Sequence, residues 1–320
     1  MIINRNPETL DLERVITRCE ATLCGKRGEL VQGQTSAQLN FLCAMPFPIP
    51  GSVIVSLVPE RRIATEPDGM HKSARFARHL LDLTSLEDVG ATIAFSIREK
   101  IGVGCGTSSQ MMQLVYTALA AGGCAMLNPA EYGRLAAAIE PSDIFCPNGS
   151  TLLWEYKRGL RLGECFDLPM GSYVAGYPLD EILPTEDVDL RRPQYTDREI
   201  RLFDDIFAEF AAVARRGDMR ALGEMTSISA DINDEWFPKP ALPNLRRLVT
   251  KREADGYFVA HSGTVVGAFI GDPERCESLL ASFCAAVGRG YDIAAFRVTS
   301  DTRKQPFLFG AGRSLRRMVT

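Results

Sequence analysis

The 320-residue chain lacks any apolar run near the roughly 20 residues that a membrane-spanning helix needs. Its net charge of −4, from 36 basic and 40 acidic residues, provides no basic excess for nucleic acid or an anionic membrane. The nine cysteines include no Cys-x-x-Cys pair, which argues against a disulfide framework or a zinc site. The N-terminus also lacks the layout of a secretory signal. We therefore expect a cytoplasmic protein that binds neither nucleic acid nor membrane.

The composition is that of a globular protein with a substantial core. Hydrophobic residues make up 46% and charged residues 24% of the chain. Runs typical of strands and of helices occur in both halves, without a regular strand–helix–strand alternation. This pattern favours an α+β fold over a doubly wound sheet, with a domain boundary between residues 155 and 180.

Several elements can be assigned from local patterns. Residues 38–47, 51–59 and 89–97 have the length and β-branched content of three strands. Apolar spacing predicts one helix after residue 106 and another from Pro129 to Glu140, where Pro141 ends it. Residues 256–272 predict two strands around a Ser-Gly turn, and residues 180–195 a surface connection.

A glycine-rich stretch, KIGVGCGTSS at residues 100–109, precedes the first of these helices. Glycines at 102, 104 and 106 let the backbone approach an anion closely, and the helix start supplies unpaired N–H groups. Thr107 or Ser108 is expected as the N-cap of the helix. The stretch therefore predicts an anion-binding loop, although a tight strand-to-helix turn would carry the same glycines.

Two common nucleotide loops do not fit this stretch. A P-loop requires lysine after its last glycine, and Thr107 follows Gly106 here. A dinucleotide-binding fingerprint requires glycine at position 107 and a βαβ context, whereas a second helix follows. The prediction of a nicotinamide-dependent oxidoreductase would rest on the glycines alone.

The stretch resembles instead the phosphate loop Pro-x-Gly-x-Gly-Leu-Gly-Ser-Ser of the kinases of galactose, homoserine, mevalonate and phosphomevalonate (the GHMP kinases). Three other stretches resemble motifs of the same superfamily, in the same order: RGELVQGQ at 27–34, EPSD at 140–143 and VAHSGTVVGAFI at 259–270. With GEMTSIS at 223–229 and FPKP at 237–240, the chain looks most like the L-threonine kinase group of cobalamin biosynthesis. The resemblance spans residues 28 to about 270.

The resemblance implies a two-domain GHMP kinase fold. Residues 1–165 would form an N-terminal half like domain 2 of ribosomal protein S5, and residues 166–320 a ferredoxin-like C-terminal half. ATP would lie between them with Mg²⁺, and a phosphoryl group would pass to the hydroxyl of L-threonine or a similar hydroxy amino acid. The oligomeric state stays open, with a homodimer as one option.

The resemblance also implies roles for individual residues. Asp143 would be the catalytic base, Ser108 and Glu140 the magnesium ligands, and Glu29 a ligand of the polar head of the substrate. Ser262, Gly263 and Thr264 would close over phosphate or a substrate carboxylate. The ATP phosphates would lie on the phosphate loop: Gly102, Gly104, Cys105, Gly106, Thr107, Ser108 and Ser109.

Simpler interpretations stand beside these roles. Thr107, Ser108 or Ser109 could only cap a helix, Glu140 could be a surface residue, and Asp143 could cap the next segment. His261 is expected to pack or stabilise a turn rather than act as a base, and Lys239 to be solvated or to meet an anion.

The basic residues Lys26, Arg27 and Lys100 depart from the motifs, at positions where they could meet an anionic substrate group. A kinase for another small alcohol and a non-catalytic nucleotide-binding regulator are the alternatives.

Overall fold

The computed structural model describes residues 18–84, 86–146, 149–181, 194–300, 305–309 and 316–317. Within these residues lie seven α-helices: α1 His71–Leu83, α2 Thr107–Ala121, α3 Pro129–Ile139, α4 Asp197–Arg216, α5 Met219–Trp236, α6 Leu242–Thr250 and α7 Cys276–Val287. The strands of the described residues are β1 Arg18–Gln34, β2 Asn40–Val58, β3 Ile63–Glu66, β4 Gly90–Ser96, β5 Leu153–Glu155, β6 Leu160–Arg161, β7 Gly171–Pro178, β8 Gly256–Val259, β9 Val266–Ile270, β10 Tyr291–Val298, β11 Gln305–Phe309 and β12 Arg316–Arg317.

One sheet runs through both halves of the described chain. Its strand order is β12-β11-β10-β7-β9-β8-β1-β2-β4-β3, and β5 and β6 form a short hairpin beside β2. The two halves meet where Glu29 of β1 pairs with Val259 of β8. This junction places the start of the first motif against the start of the third.

The C-terminal half has the topology that the resemblance implied. Strands β10, β7, β9 and β8 are antiparallel neighbours in that order. Helices α4 to α6 connect β7 to β8, and α7 connects β9 to β10. This βαββαβ arrangement is the ferredoxin-like one. The α+β class is confirmed, whereas the division at residues 1–165 and 166–320 stays a prediction.

The N-terminal half is built on the long antiparallel pair β1 and β2. Helix α2 covers one face of these strands, and α1 packs on α2 and on β3 and β4. Both helices do so with fully buried apolar side chains, because their sequences repeat apolar residues at helical spacing. α3 begins at Pro129 after an Asn128 capping box and ends at Ile139, as predicted. Glu140 and Asp143 therefore follow directly on a helix end.

Two local predictions are wrong. The strands predicted at 38–47 and 51–59 are one strand, because β2 continues through Pro50 and Gly51 with its register shifted against β1. The N-cap of α2 is Gly106 in the left-handed conformation, not Thr107 or Ser108. The predicted strands around the Ser-Gly turn are β8 and β9. Of the predicted surface connection, residues 182–193 lie outside the described residues.

No helix among the described residues is both long enough and apolar enough to cross a bilayer.

Candidate active site

A cleft of about 1040 Å³ opens where the two halves of the sheet meet. Its walls come from the start of α1, the phosphate loop, the segment after α3, and the turn between β8 and β9. Among the predicted site residues, those lining it are Glu29, Gly102, Gly104, Gly106, Thr107, Ser108, Ser109, Glu140, Asp143, Ser262 and Gly263. Residues predicted from four separate motifs thus share one cleft.

The phosphate loop depends on glycine at three places. Gly102, Gly104 and Gly106 have φ values of 84°, 98° and 60°, which side-chain-bearing residues rarely adopt. The loop is closed by the Thr107 hydroxyl, which donates to the Lys100 carbonyl at 3.2 Å. Since the first backbone N–H groups of α2 have no partner within the helix, this is a site that favours an anion.

The first and third motifs are attached to this loop through the backbone. The Gly28 N–H donates to the Gly104 carbonyl at 3.2 Å. On the other side, the N–H groups of Thr264 and Val265 both donate to the Val103 carbonyl, at 2.8 and 3.0 Å. The three motifs therefore form one rigid unit around the glycine loop.

Asp143 is held by its own backbone and that of its neighbours. Its N–H donates to the Ser109 hydroxyl on α2 at 3.1 Å. Two residues on, the Phe145 N–H donates to Gln113 Oε1, one α2 turn further along, at 2.8 Å. The Trp154 indole donates to the Ser142 carbonyl at 2.8 Å. These bonds fix the carboxylate in front of the start of α2.

Lys26 lies between two carboxylates at the floor of the cleft. Its ammonium is 2.6 Å from Asp143 Oδ2 and also contacts Glu29 Oε1. The lysine side chain is 2% exposed. Burial alone would lower its pKa, but Asp143 and Glu29 outweigh burial and raise it. Lys26 is therefore a permanent cation next to the candidate base.

Glu29 has both carboxylate oxygens engaged by the protein. Oε1 contacts Lys26, and Oε2 accepts the His261 N–H at 2.6 Å. Burial raises its pKa, and Lys26 opposes that rise. Glu29 lines the cleft as predicted, yet these contacts fit a residue that positions Lys26 and the third motif. Binding of a substrate ammonium by Glu29 stays a prediction.

Glu140 and Ser108 suit a magnesium ion by the chemistry of their oxygens. Glu140 Oε2 contacts the Lys72 ammonium, while the buried Oε1 has no hydrogen-bond partner among the described residues. A buried carboxylate oxygen without a donor is costly unless a cation or water completes it. Glu140 Oε1 and the Ser108 hydroxyl are thus the groups that would hold Mg²⁺, which neutralises phosphate charge when bound.

Three predicted residues have side chains that are buried or bonded within the protein. Cys105 is buried, with its thiol 3.5 Å from Glu99 Oε2, so that only its backbone belongs to the loop surface. Ser109 lines the cleft while its hydroxyl holds Asp143. Thr264 is buried behind the turn, where its N–H binds the Val103 carbonyl.

Two of the basic residues that were expected to meet an anionic substrate group do not line the cleft. Arg27 is 1% exposed and binds Glu99 and Asp292 with its guanidinium. It is a structural cation, because its partners lie 72 and 265 residues away and meet it only in the fold. Lys100 donates to the Leu179 carbonyl and does not line the cleft.

The part of the cleft away from α1 is its aromatic end, which we define as Tyr156, Lys157, Tyr195, Phe237 and His261. The His261 ring lies 5.0 Å from the Tyr156 ring and 6.0 Å from the Phe237 ring, centroid to centroid. Burial and three nearby lysines lower the pKa of His261 to about 3. His261 is therefore a packed, neutral histidine, as predicted.

The motif FPKP contributes Phe237 to the aromatic end, whereas no residue of GEMTSIS lines the cleft. Ser229 on α5 pairs with both backbone groups of Gln32 at 2.8 Å. Asn233 donates to the His261 carbonyl at 3.1 Å, and its own oxygen accepts from Lys239 at 3.4 Å. Lys239 is 3% exposed, so the expectation of a solvated lysine is wrong. Apart from Phe237, the two motifs contact the first and third ones without lining the cleft.

Several kinases of known structure share this fold. The structure is similar to homoserine kinase from Cytophaga hutchinsonii, with a TM-score of 0.68 and 12% identity over 88% of this chain and 94% of that one. It is also similar to galactokinase from Lactococcus lactis complexed with galactose, with a TM-score of 0.63 and 11% identity over 95% and 96%.

A third similar structure is phosphomevalonate kinase from Streptococcus pneumoniae in complex with phosphomevalonate and AMPPNP. Its TM-score is 0.64, with 13% identity over 87% of this chain and 99% of that chain. No protein-family model matches the sequence, and no curated protein matches it either. At these identities the similarity shows the fold alone.

Proposed function

We propose that this chain is an ATP- and magnesium-dependent kinase that phosphorylates the hydroxyl of L-threonine or a similar hydroxy amino acid. The observation that carries the proposal is the buried contact of 2.6 Å between Lys26 and Asp143, in front of the glycine loop. A binding protein needs the loop, but it does not need a carboxyl group paired with a lysine where a phosphoryl group would be transferred.

Each part of the cleft has a task in this reaction. The loop amides from Gly102 to Ser109 bind the phosphates of ATP, and Asp143 accepts the proton of the attacking alcohol. Lys26 pairs with Asp143 at 2.6 Å and places positive charge beside the transferred group. Bound Mg²⁺ neutralises charge on the phosphates, with Ser108 and Glu140 as its protein ligands.

The proposed reaction is a single displacement at the γ-phosphorus of ATP. The alcohol oxygen forms a bond to the γ-phosphorus of ATP, the bond from that phosphorus to the β–γ bridging oxygen breaks, and ADP leaves. The alcohol proton passes to Asp143 Oδ and from there to solvent. The products are a phosphate monoester and ADP.

The choice of ATP and of a small alcohol has two supports. The glycine loop resembles a GHMP phosphate loop, and a structural neighbour was solved with AMPPNP, an analogue of ATP. Homoserine kinase, a kinase of a hydroxy amino acid by its name, has the same fold. The motifs GELVQG, EPSD, FPKP and AHSGTVVG support the finer assignment to an L-threonine kinase of cobalamin biosynthesis.

The proposal is tested by incubating purified protein with Mg-ATP and, separately, L-threonine, L-serine, L-homoserine, mevalonate and galactose. ADP release is measured with and without each alcohol. Release that depends on one hydroxy amino acid supports the assignment. Release with another alcohol alone favours a kinase of a different pathway, and ATP binding without any release favours a regulator.

A further inference from the structure

Glu99 directly precedes the phosphate loop and binds a residue inside it. Gly104 and Gly106 line the cleft, whereas Cys105 between them is buried. The Cys105 thiol donates to Glu99 Oε2 at 3.5 Å. Burial and then the nearby Glu99 carboxylate raise the pKa of this thiol, so it stays protonated as the donor. The loop peptides on both sides of Cys105 are therefore tied to the position of Glu99.

Arg27 holds Glu99 by both carboxylate oxygens. Its Nε and Nη2 atoms donate to Oε1 at 3.2 and 3.0 Å, and Nη2 also donates to Oε2 at 3.2 Å. Arg27 is 1% exposed and Glu99 5% exposed, so these bonds are shielded from bulk water. Bonds from a guanidinium to both oxygens of a carboxylate fix orientation as well as distance. Arg27 therefore fixes the Glu99 carboxylate at the base of the loop.

The C-terminal half of the sheet binds the same guanidinium. Nη1 donates to the carbonyls of Ala175 in β7 and Asp292 in β10, both at 3.1 Å. Nη2 also contacts the Asp292 carboxylate. The ring centroids of Phe47 and Tyr177 lie 5.9 and 4.9 Å from the guanidinium carbon. Because Arg27 belongs to β1, its side chain joins both halves of the sheet to the base of the loop.

Three departures from the GHMP motifs take part in this connection. Arg27 departs from the first motif, and Cys105 stands where the loop pattern has leucine, which could not donate to Glu99. Lys100, which replaces the proline of the pattern, donates to the Leu179 carbonyl directly after β7. All three residues thus attach the loop to its surroundings rather than meet a ligand in the cleft.

We infer that Arg27 is a positioning residue of the proposed kinase, which fixes the phosphate loop for ATP through Glu99 and Cys105. This inference rests on the proposed function and deepens it, because it assigns a part in nucleotide binding to a buried side chain that does not line the cleft. Affinity for ATP then depends on the bonds of Arg27. Binding of the alcohol does not, because the loop holds the phosphates.

The test is calorimetric titration with AMPPNP, without alcohol, of wild type, Arg27→Lys and Glu99→Gln. Arg27→Lys keeps the charge, but one ammonium cannot reproduce the bonds of the guanidinium to Glu99. Glu99→Gln keeps the shape of the side chain and loses its charge. We expect the Kd of each variant to rise by about tenfold. The matched control is Arg78→Met, which should stay within about twofold of wild type, because this arginine binds the Val89 and Leu86 carbonyls outside the cleft.

Kinetics separate positioning of the loop from a loss of stability. The KM for ATP should rise with the Kd in both variants, while the KM for the alcohol that stimulates ADP release stays within about twofold of wild type. A merely structural arginine would lower the melting temperature and leave both KM values unchanged. The Cys105 link is tested with Cys105→Ser, which can donate to Glu99, and Cys105→Val, which cannot. We expect the Kd of the valine variant to be about threefold higher than that of the serine variant.

Melting temperatures show which variants fold. A Kd for AMPPNP within about twofold of wild type, in either charge variant that folds, overturns the inference and leaves the proposed function intact. So does a KM for the alcohol that rises as much as the KM for ATP. If neither charge variant folds, equal Kd values for Cys105→Ser and Cys105→Val overturn the inference. A wild-type protein that does not bind AMPPNP contradicts the proposed function, and the inference falls with it.

Discussion

Gly104 of the phosphate loop and Gly263 of the third motif pack backbone against backbone. A Cβ atom placed on Gly263 would lie 2.3 Å from the Gly104 Cα atom, and one placed on Gly104 would lie 2.3 Å from the Ala260 Cβ atom. Real side chains do not approach so closely, so both positions require glycine. The phosphate loop and the turn that would close over it are therefore one packed unit, although 159 residues separate them in the sequence.

Gly104→Ala should weaken ATP binding by about tenfold or more, because the new methyl group must displace the third motif and strain a φ of 98°. Gly123→Ala is the matched control. Its φ of 74° is also positive, but nothing lies within 4 Å of a Cβ atom there. Titration of both variants with an ATP analogue separates the steric effect from the backbone effect. Equal affinities of the two variants would show that the contact does not shape the loop.

Lys26→Met should lower the free energy of unfolding by about 3–5 kcal/mol, because Asp143 and Glu29 are left buried without their cation. Adding Asp143→Asn to this variant should recover part of the loss, since one of the two facing carboxylates is then neutral. Urea unfolding of the single and double variants measures the coupling.

The matched control for that series is Arg220→Met, which removes the partner of Glu224 in an exposed ion pair and should change stability by less than about 1 kcal/mol. Strictly additive effects of the Lys26 and Asp143 substitutions would argue that the pair is not a coupled unit.

Glu140→Gln should raise the Mg²⁺ concentration needed for half-maximal activity by about tenfold, because a neutral amide replaces the carboxylate assigned to the metal. Lys72→Met leaves the carboxylate in place and removes its competing cation. That variant should need no more Mg²⁺ than wild type. The measurement is ADP release against free Mg²⁺ at fixed ATP. Identical curves for Glu140→Gln and wild type would remove Glu140 from the metal site.

Lys239 should make stability depend on pH between about 8 and 10.5. Burial lowers its pKa to about 8 from an ordinary value of 10.5. Within this range the unfolded chain binds more protons at Lys239 than the folded chain does, so its contribution to the free energy of unfolding rises with pH. Below pH 8 both states are protonated and the contribution is constant.

We therefore compare the free energy of unfolding of wild type with that of Lys239→Met. The excess of wild type over the variant should grow from pH 7.5 to pH 10, by roughly 3 kcal/mol at most. Lys251→Met, at an exposed position after α6, is the control and should give a flat difference. Urea unfolding at the two pH values measures both differences. A difference that shrinks with pH in Lys239→Met would contradict the assigned direction.

Much of the cleft could be predicted because each motif is local. The glycines of the phosphate loop, the helix end before Glu140 and the Ser-Gly turn are visible in a few consecutive residues, and resemblance supplied their order. Resemblance also gave the fold of the C-terminal half. The contact of Lys26 with Glu29 was not predictable in this way. Residues three apart on a regular strand face opposite sides, and only the register shift between them in β1 brings both into the cleft.

Long-range pairing explains the other failures. The role of Arg27 depends on Glu99 and Asp292, which are distant in sequence. The proline-rich part of β2 suggests a break between two strands, but the shifted pairing with β1 tolerates prolines that cannot donate. Tyr156 belongs to none of the sequence motifs, and its bond to His261, 105 residues away, exists only in the fold.

The most direct test of the central claim is ³¹P NMR of the wild-type protein and of Asp143→Asn, each incubated with Mg-ATP and the hydroxy amino acid that stimulates ADP release. We predict a new phosphate-monoester resonance with wild type, formed in step with ADP. The Asp143→Asn variant should bind ATP normally yet form the ester more slowly by about 10²-fold to 10⁴-fold, because the base that accepts the alcohol proton is missing. Ester formation at the wild-type rate in Asp143→Asn, or ADP without any ester in wild type, would contradict the account.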